Sequence, residues 1–177
     1  MNQIDILERL WEGNREYVKS GRYKGNVGES LRSSLAAKQS PLAVVVTCSD
    51  SRVVPEVIFG ADLGELFVVR VAGNVLGDVE LASIEYATSH LGVKVVVVLG
   101  HTVCGAIAAA IAGEEEGLVG TITAPIRKII AGEQNAYKAA VKNVVYQVGV
   151  VEETFGEANV EAVGAIYDVS KGTIEFL

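Results

Sequence analysis

A chain of 177 residues, half of them hydrophobic and 21% charged, carries enough apolar surface for one compact domain with a real core. Disorder and a collagen-like fibre are excluded by that composition. A net charge of −7 and an isoelectric point near 4.9, with no basic run, offer nothing to a nucleic-acid backbone or an anionic membrane surface.

The opening MNQIDILERL has two acids and no basic segment leading into an apolar one, so no secretory signal is expected and a cytoplasmic location is the default. Ile4, Leu7, Leu10, Trp11 and Val18 recur at helical spacing, which predicts an amphipathic helix over 3–19 ending near Gly21. Its apolar stripe needs a partner. A second short helix is expected over 31–38, and Pro41 precedes a continuous apolar run, 42–47, that reads as a buried strand. A short helix at 55–59, a strand at 66–71, a helix at 79–91, a strand at 93–99 and a helix from Cys104 follow. Helices are expected at 122–131 and 136–154, then a strand at 160–167 and a hairpin partner at 173–177, with 168–172 as the turn.

Strands apolar at every position belong to parallel sheets covered on both faces. The fold class is therefore α/β: a central, mainly parallel sheet of about four strands, an antiparallel C-terminal edge strand, flanking helices and an N-terminal helical arm. No linker divides the chain, so 1–177 is one domain, with 1–38 as its arm. Val95–Gly113 is nearly long and apolar enough to cross a bilayer, but its β-branched first half and Ala-rich second half, broken by Gly100 and Gly105, read as strand, turn and helix.

Two strand ends are chemically loaded. The strand ending at Thr47 runs into Cys48-Ser49-Asp50-Ser51-Arg52, and the one ending at Leu99 runs into Gly100-His101-Thr102-Val103-Cys104-Gly105. Ligands gather at such carboxyl ends in open α/β sheets. If the two strands are neighbours, Cys48, His101 and Cys104 converge. Two thiolates and an imidazole suit zinc, with a fourth tetrahedral position left for water, substrate or a carboxylate, as in catalytic sites. The start of the following helix also favours an anionic Cys104.

Asp50 and Arg52 share one loop, and an arginine forked onto a carboxylate fixes its orientation. Asp50 has two open roles: to close the site as fourth metal ligand, or to turn to Arg52 and orient a water that zinc has made acidic. Two thiolates neutralise the formal charge of Zn²⁺, so ionisation of that water is expected at somewhat higher pH than with three imidazoles.

The plainer alternatives are two unrelated buried thiols, with Asp50–Arg52 as a loop-stabilising pair. A dithiol redox protein is a rival, weakened by the lack of a Cys-x-x-Cys pair. A cysteine phosphatase is another, weakened by a Cys48–Arg52 spacing too short to cradle a phosphate. His90 ends a helix and suits its dipole, so it receives no ligand role. Tyr86, Tyr146 and Tyr167 read as core or interface aromatics, and Glu114–Glu116 as a solvated loop.

C-S-D-S-R followed about fifty positions later by H-x-x-C-G resembles the β-class carbonic anhydrases, and so do Phe67-Val-Val-Arg-Val-Ala-Gly-Asn74, Ser83-Ile-Glu-Tyr-Ala87, Val97-Val-Leu-Gly-His101 and Val163-Gly-Ala-Ile-Tyr-Asp168. The resemblance, to bacterial and archaeal members, covers nearly the whole chain. It implies one zinc ion per chain held by Cys48, His101 and Cys104, with Asp50 as switchable fourth ligand and Arg52 as its partner, catalysing CO₂ + H₂O ⇌ HCO₃⁻ + H⁺. It implies a homodimer or higher homo-oligomer whose subunits exchange N-terminal helices, with the CO₂ pocket at the dimer interface. Backbone N–H groups near Gly105 are expected to meet a bicarbonate oxygen. The same scaffold also hosts hydrolysis of carbonyl sulfide or carbon disulfide, an alternative substrate class. Gly60 departs from the resemblance, since many relatives carry an acid after the Ile-Phe pair.

Overall fold

The computed structural model describes residues 1–177. Helix α1 (Gln3–Ser20) begins in a capping box: the Asn2 side chain accepts from the Asp5 N–H, and the Asp5 carboxylate accepts from the Asn2 N–H. Gly21, at φ +63, ends it. Helix α2 (Glu29–Leu35) is short and buries no residue. Strand β1 (Ala43–Thr47), helix α3 (Pro55–Ile58), strand β2 (Leu66–Arg70), helix α4 (Asp78–His90), strand β3 (Val95–His101) and helix α5 (Gly105–Ala112) follow in alternation. Helices α6 (Gly120–Ile130) and α7 (Ala136–Phe155), then strands β4 (Glu161–Tyr167) and β5 (Ile174–Phe176), complete the chain. The apolar stretch over 95–113 is divided between β3 and α5, and no helix is long and apolar enough to cross a membrane.

The five strands form one sheet in the order β2-β1-β3-β4-β5, parallel except for β5. The expected architecture of four parallel strands with an antiparallel C-terminal edge is thus the one observed. Every residue of β1 and β3 is buried, as their unbroken apolar runs predict. On one face Val44, Val46, Val96 and Val98 pack with Ile84, Ile107, Ile126 and Val144 from helices α4 to α7. On the other, Val45, Val95, Val97 and Leu99 pack with Ile6, Leu10, Ile58 and Phe59. Strand β2 departs from the expected full burial: it is an edge, only Val69 is buried, and its last residue, Arg70, is exposed.

Helix α1 lies on the sheet of its own chain, and the contact is close. A Cβ on Gly13 would stand 1.8 Å from the Phe59 carbonyl oxygen. Gly60 sits opposite at φ +56, where a Cβ would approach the Gly13 oxygen to 3.2 Å. Both the backbone conformation and the approach of α1 account for a glycine at this position. Beyond it, Asn14 is buried and fully satisfied: Nδ2 donates to the carbonyls of Ile58 at 3.0 Å and Gly172 at 2.8 Å, and Oδ1 accepts from the Ile174 N–H at 3.0 Å. One side chain thus ties the arm to α3, to the 168–172 turn and to β5. Ile4, Trp11 and Val18 remain on the exposed side of α1.

Replacing Asn14 by Leu strands two carbonyls and an N–H in a buried layer. We expect Asn14→Leu to lower the free energy of unfolding by about 3 kcal/mol, measured by urea titration.

Candidate metal centre

Strand order decides the site. β1 is followed in sequence by β2 on one side, and the chain then crosses to β3 on the other, so the crevice beyond the carboxyl ends of β1 and β3 is a topological switch point. Thr47 pairs with Leu99 across that boundary, and the Thr47 hydroxyl donates to the Leu99 carbonyl at 2.8 Å. Cys48 leaves one strand where His101 ends the other, while Cys104 caps the start of α5. The three are buried, and their ligand atoms lie within 4.8 Å of one another. The convergence that the sequence made conditional on adjacency of the strands is therefore realised.

The donor set fits a metal ion on two observations. First, the His101 Nδ1–H donates to the Thr102 carbonyl at 2.9 Å, which leaves Nε2 as the bare nitrogen, and that nitrogen is buried without any hydrogen-bond partner. An orphaned buried acceptor is costly unless something fills the space it faces. Second, the Cys48 and Cys104 sulfurs stand 4.0 Å apart. The thiol of Cys104, with help from His101 and the N–H groups of Gly73 and Asp50, holds the Cys48 thiol well below its usual range, while burial opposes the shift. The second ionisation is then forced far upward, because Cys104 would lose its proton beside an existing thiolate in a buried pocket, although the N–H groups of Ile107 and Ala106 favour its anion. Two thiolates at this separation call for a cation between them. Cys48, His101 and Cys104 together can bind a metal ion.

Asp50 stands at the edge of this cluster, with its Oδ2 at 4.0 Å from His101 Nε2. Its carboxylate is clamped by Arg52, whose Nε donates to Oδ1 at 2.9 Å and whose Nη2 donates to Oδ2 at 2.7 Å, while the Arg52 backbone N–H adds a third bond to Oδ1 at 2.9 Å. The forked arginine is the main cause of a carboxyl group held well below the usual range, with His101 contributing and burial opposing. Arg52 Nη2 also reaches the Val103 carbonyl at 3.2 Å, so the same guanidinium joins the two ligand loops.

Arg70, to which no local sequence pattern assigns a role, holds the first loop from behind: Nε donates to the Cys48 carbonyl at 3.2 Å and Nη2 to the Asp50 carbonyl at 2.8 Å. A charged residue closing an otherwise apolar strand was the available signal. Gly105 opens α5 with exposed backbone, and a Cβ there would meet nothing within 4 Å. His90 lies in the last turn of α4, stacked on Tyr86 at 5.0 Å, away from the three ligands. Tyr167 is buried in the core, whereas Tyr86 and Tyr146 are about half exposed.

The family described as "Carbonic anhydrase" matches residues 43–174. Carbonic anhydrase 2 of Mycobacterium tuberculosis is 44% identical over 116 residues, covering 66% of this chain and 56% of that protein. The chain thus spans little more than half the length of that relative. The carbonic anhydrase of Mycolicibacterium smegmatis is 34% identical over 175 residues, covering 97% of this chain and 85% of its own. Among solved structures, a tetrameric β-carbonic anhydrase of Sordaria macrospora superposes with a TM-score of 0.76 at 26% identity, covering 98% of this chain and 97% of that one. The Coccomyxa β-carbonic anhydrase, in complex with acetazolamide, gives 0.75 at 27% identity, covering 97% and 86%.

Two outcomes are expected of these loops. Val103 is β-branched yet sits at φ +57, a left-handed conformation that such residues rarely adopt. Val103→Asn is expected to stabilise the protein by roughly 1 kcal/mol in thermal unfolding, because asparagine tolerates that region. Asp50, its folded pKa depressed, contributes stability that is fully present above the unfolded value of about 3.9 and is lost as pH falls through the folded one. Asp50→Asn should therefore flatten the acid-side decline in stability below about pH 4, while leaving its slope between about pH 6 and 9 unchanged.

Proposed function

The chain belongs to the β-carbonic anhydrase family, and from that premise we propose that it catalyses the reversible hydration of CO₂ to bicarbonate and a proton. The observation that carries this reading is a Cys48–His101–Cys104 cluster with a carboxylate beside it that Arg52 holds in a two-point grip. A purely structural metal site needs no such dyad. Zinc is the ion that two thiolates and an imidazole suit, and when bound there it supplies Lewis acidity that brings the ionisation of water toward neutral pH.

The protein's own groups do the rest. Asp50 remains a carboxylate at neutral pH, so it accepts a hydrogen bond from the attacking water and turns its lone pair toward the carbon of CO₂. Arg52 keeps Asp50 in that orientation and, by neutralising it, holds it back from the metal position. Release of that grip would let Asp50 close the site as a fourth ligand. As carbon accepts the oxygen, charge develops on the product oxygens, and the Gly105 N–H, at the exposed start of α5, is the donor this reading assigns to one of them. The proton passes to solvent buffer.

The exposed Ile4, Trp11 and Val18 on α1 support a homodimer built on the arm, and the expected exchange of arms between subunits rests on the family resemblance alone. Light scattering is expected to give a dimer or a higher homo-oligomer.

The test is zinc stoichiometry with stopped-flow CO₂ hydration from about pH 6.5 to 9, the range around an ionisation near 7. We expect about one zinc per chain and a rate that rises toward alkaline pH. Asp50→Ala should retain zinc and lose about a hundredfold in rate. An Asp50→Ala protein that keeps both its zinc and the unaltered rate across that range would sink the proposed role of the dyad. Bound zinc without any CO₂ hydration would instead point to carbonyl sulfide or carbon disulfide as substrate.

A further inference from the structure

The Cys48 sulfur accepts a hydrogen bond from the Gly73 N–H at 3.3 Å, a group belonging to neither ligand loop. Gly73 lies in the short turn Ala72–Asn74 at φ +70, and a Cβ there would stand 2.7 Å from Ile126 Cδ1 and 3.0 Å from Ala106 Cβ. Only glycine suits both the torsion and the space, yet glycine is also the softest link in a turn. Its restraint comes from α7. Asn143 Nδ2 donates to the Gly73 carbonyl at 2.8 Å. One helical turn on, Gln147 donates to Asn143 Oδ1 at 3.4 Å and accepts from the Leu76 N–H at 3.2 Å, so that it braces Asn143 and grips the exit of the same turn.

Asn143 and Gln147 are 1% and 2% exposed, on a helix face otherwise given to Ala139, Ala140, Val144 and Val151. Polar side chains in such a layer cost stability unless their bonds are used. Here the bonds converge on the turn that delivers the Gly73 N–H to the Cys48 sulfur.

We propose that Asn143, backed by Gln147, is a positioning residue for the Cys48 ligand: by pinning the Gly73 carbonyl it aims the Gly73 N–H at the sulfur and thereby sets the electron density that the sulfur offers to a metal. The inference rests on the reading of Cys48 as a metal ligand. An N–H directed at a thiolate draws charge from it, which partly restores the Lewis acidity that two anionic sulfurs remove. Asn143 touches neither the ligand atoms nor the substrate and acts through one peptide.

Cobalt(II) is the probe, because zinc is spectroscopically silent whereas a thiolate bound to cobalt gives a sulfur-to-metal charge-transfer absorption. In Asn143→Leu that absorption is expected to move to longer wavelength, since an unbonded thiolate gives up its electron more easily. Cobalt affinity, measured by chelator competition, should fall about tenfold or more. Asn14→Leu serves as control: it removes a buried asparagine tied to other elements, so it should cost stability without moving the absorption. If Asn143→Leu does not fold, Gln147→Leu keeps the Asn143–Gly73 bond and removes its brace together with the bond to the Leu76 N–H, and a smaller shift in the same direction is expected. Cobalt-loaded variants whose absorption coincides with that of the unaltered protein would overturn the positioning role. An unaltered protein that binds no cobalt, or binds it without the charge-transfer absorption, would instead overturn cysteine ligation itself.

Discussion

Two sulfurs 4.0 Å apart in a buried pocket cannot both carry charge unless a cation lies between them, and the ligand loops are arranged around that requirement. The first thiolate is favoured by N–H groups from Gly73 and Asp50, the second by the start of α5. His101 presents its bare nitrogen to the same space because its other nitrogen is committed to the Thr102 carbonyl. Without a cation, Cys104 keeps its proton and the His101 Nε2 acceptor is left with no partner. With one, thiolates and imidazole are satisfied together, and metal binding becomes part of the stability of the fold.

Holding such a pocket open requires rigid supports, and the sheet supplies them. β1 and β3 are buried on both faces, so their ends do not fray, and register pairing at Thr47 and Leu99 fixes the separation of the two ligand loops. Around this frame, three polar devices adjust the loops: Arg52 joins Asp50 to the Val103 carbonyl, Arg70 holds the carbonyls of Cys48 and Asp50, and Asn143 holds the turn at Gly73. Each makes bonds to backbone, so each controls geometry without occupying the reaction volume. The strain at Val103 fits this arrangement, since a left-handed residue between His101 and Cys104 lets both face one point.

Beside the three ligands stands an Asp50–Arg52 pair joined by two side-chain hydrogen bonds. The Asp50 Oδ2 lies 4.0 Å from His101 Nε2, and Arg52 Nη2 holds the same oxygen at 2.7 Å. The guanidinium of Arg52 is half-exposed, whereas the Asp50 carboxylate is largely covered.

Much of this was legible in the chain. Unbroken apolar runs at β1 and β3, helical spacing in α1 and turn residues at 168–172 determined the elements and their α/β order, because burial of apolar side chains acts locally and repeats with a period that sequence displays. The residue types of the ligand loops determined that a soft, divalent cation suits the site. Tertiary structure alone decided that β1 and β3 are neighbours, since strand order depends on crossovers that no local pattern encodes. It also decided that β2 is an edge with Arg70 turned to the Cys48 loop, that α1 packs on its own sheet through Ile6 and Leu10 and on the α3 segment through Gly13 and Asn14, and that Asn143 and Gln147, which resemble errors on an apolar helix face, serve a turn some seventy residues away in sequence. Long-range hydrogen bonds pair groups by where the backbone has brought them, and that placement exists only once the whole chain has packed.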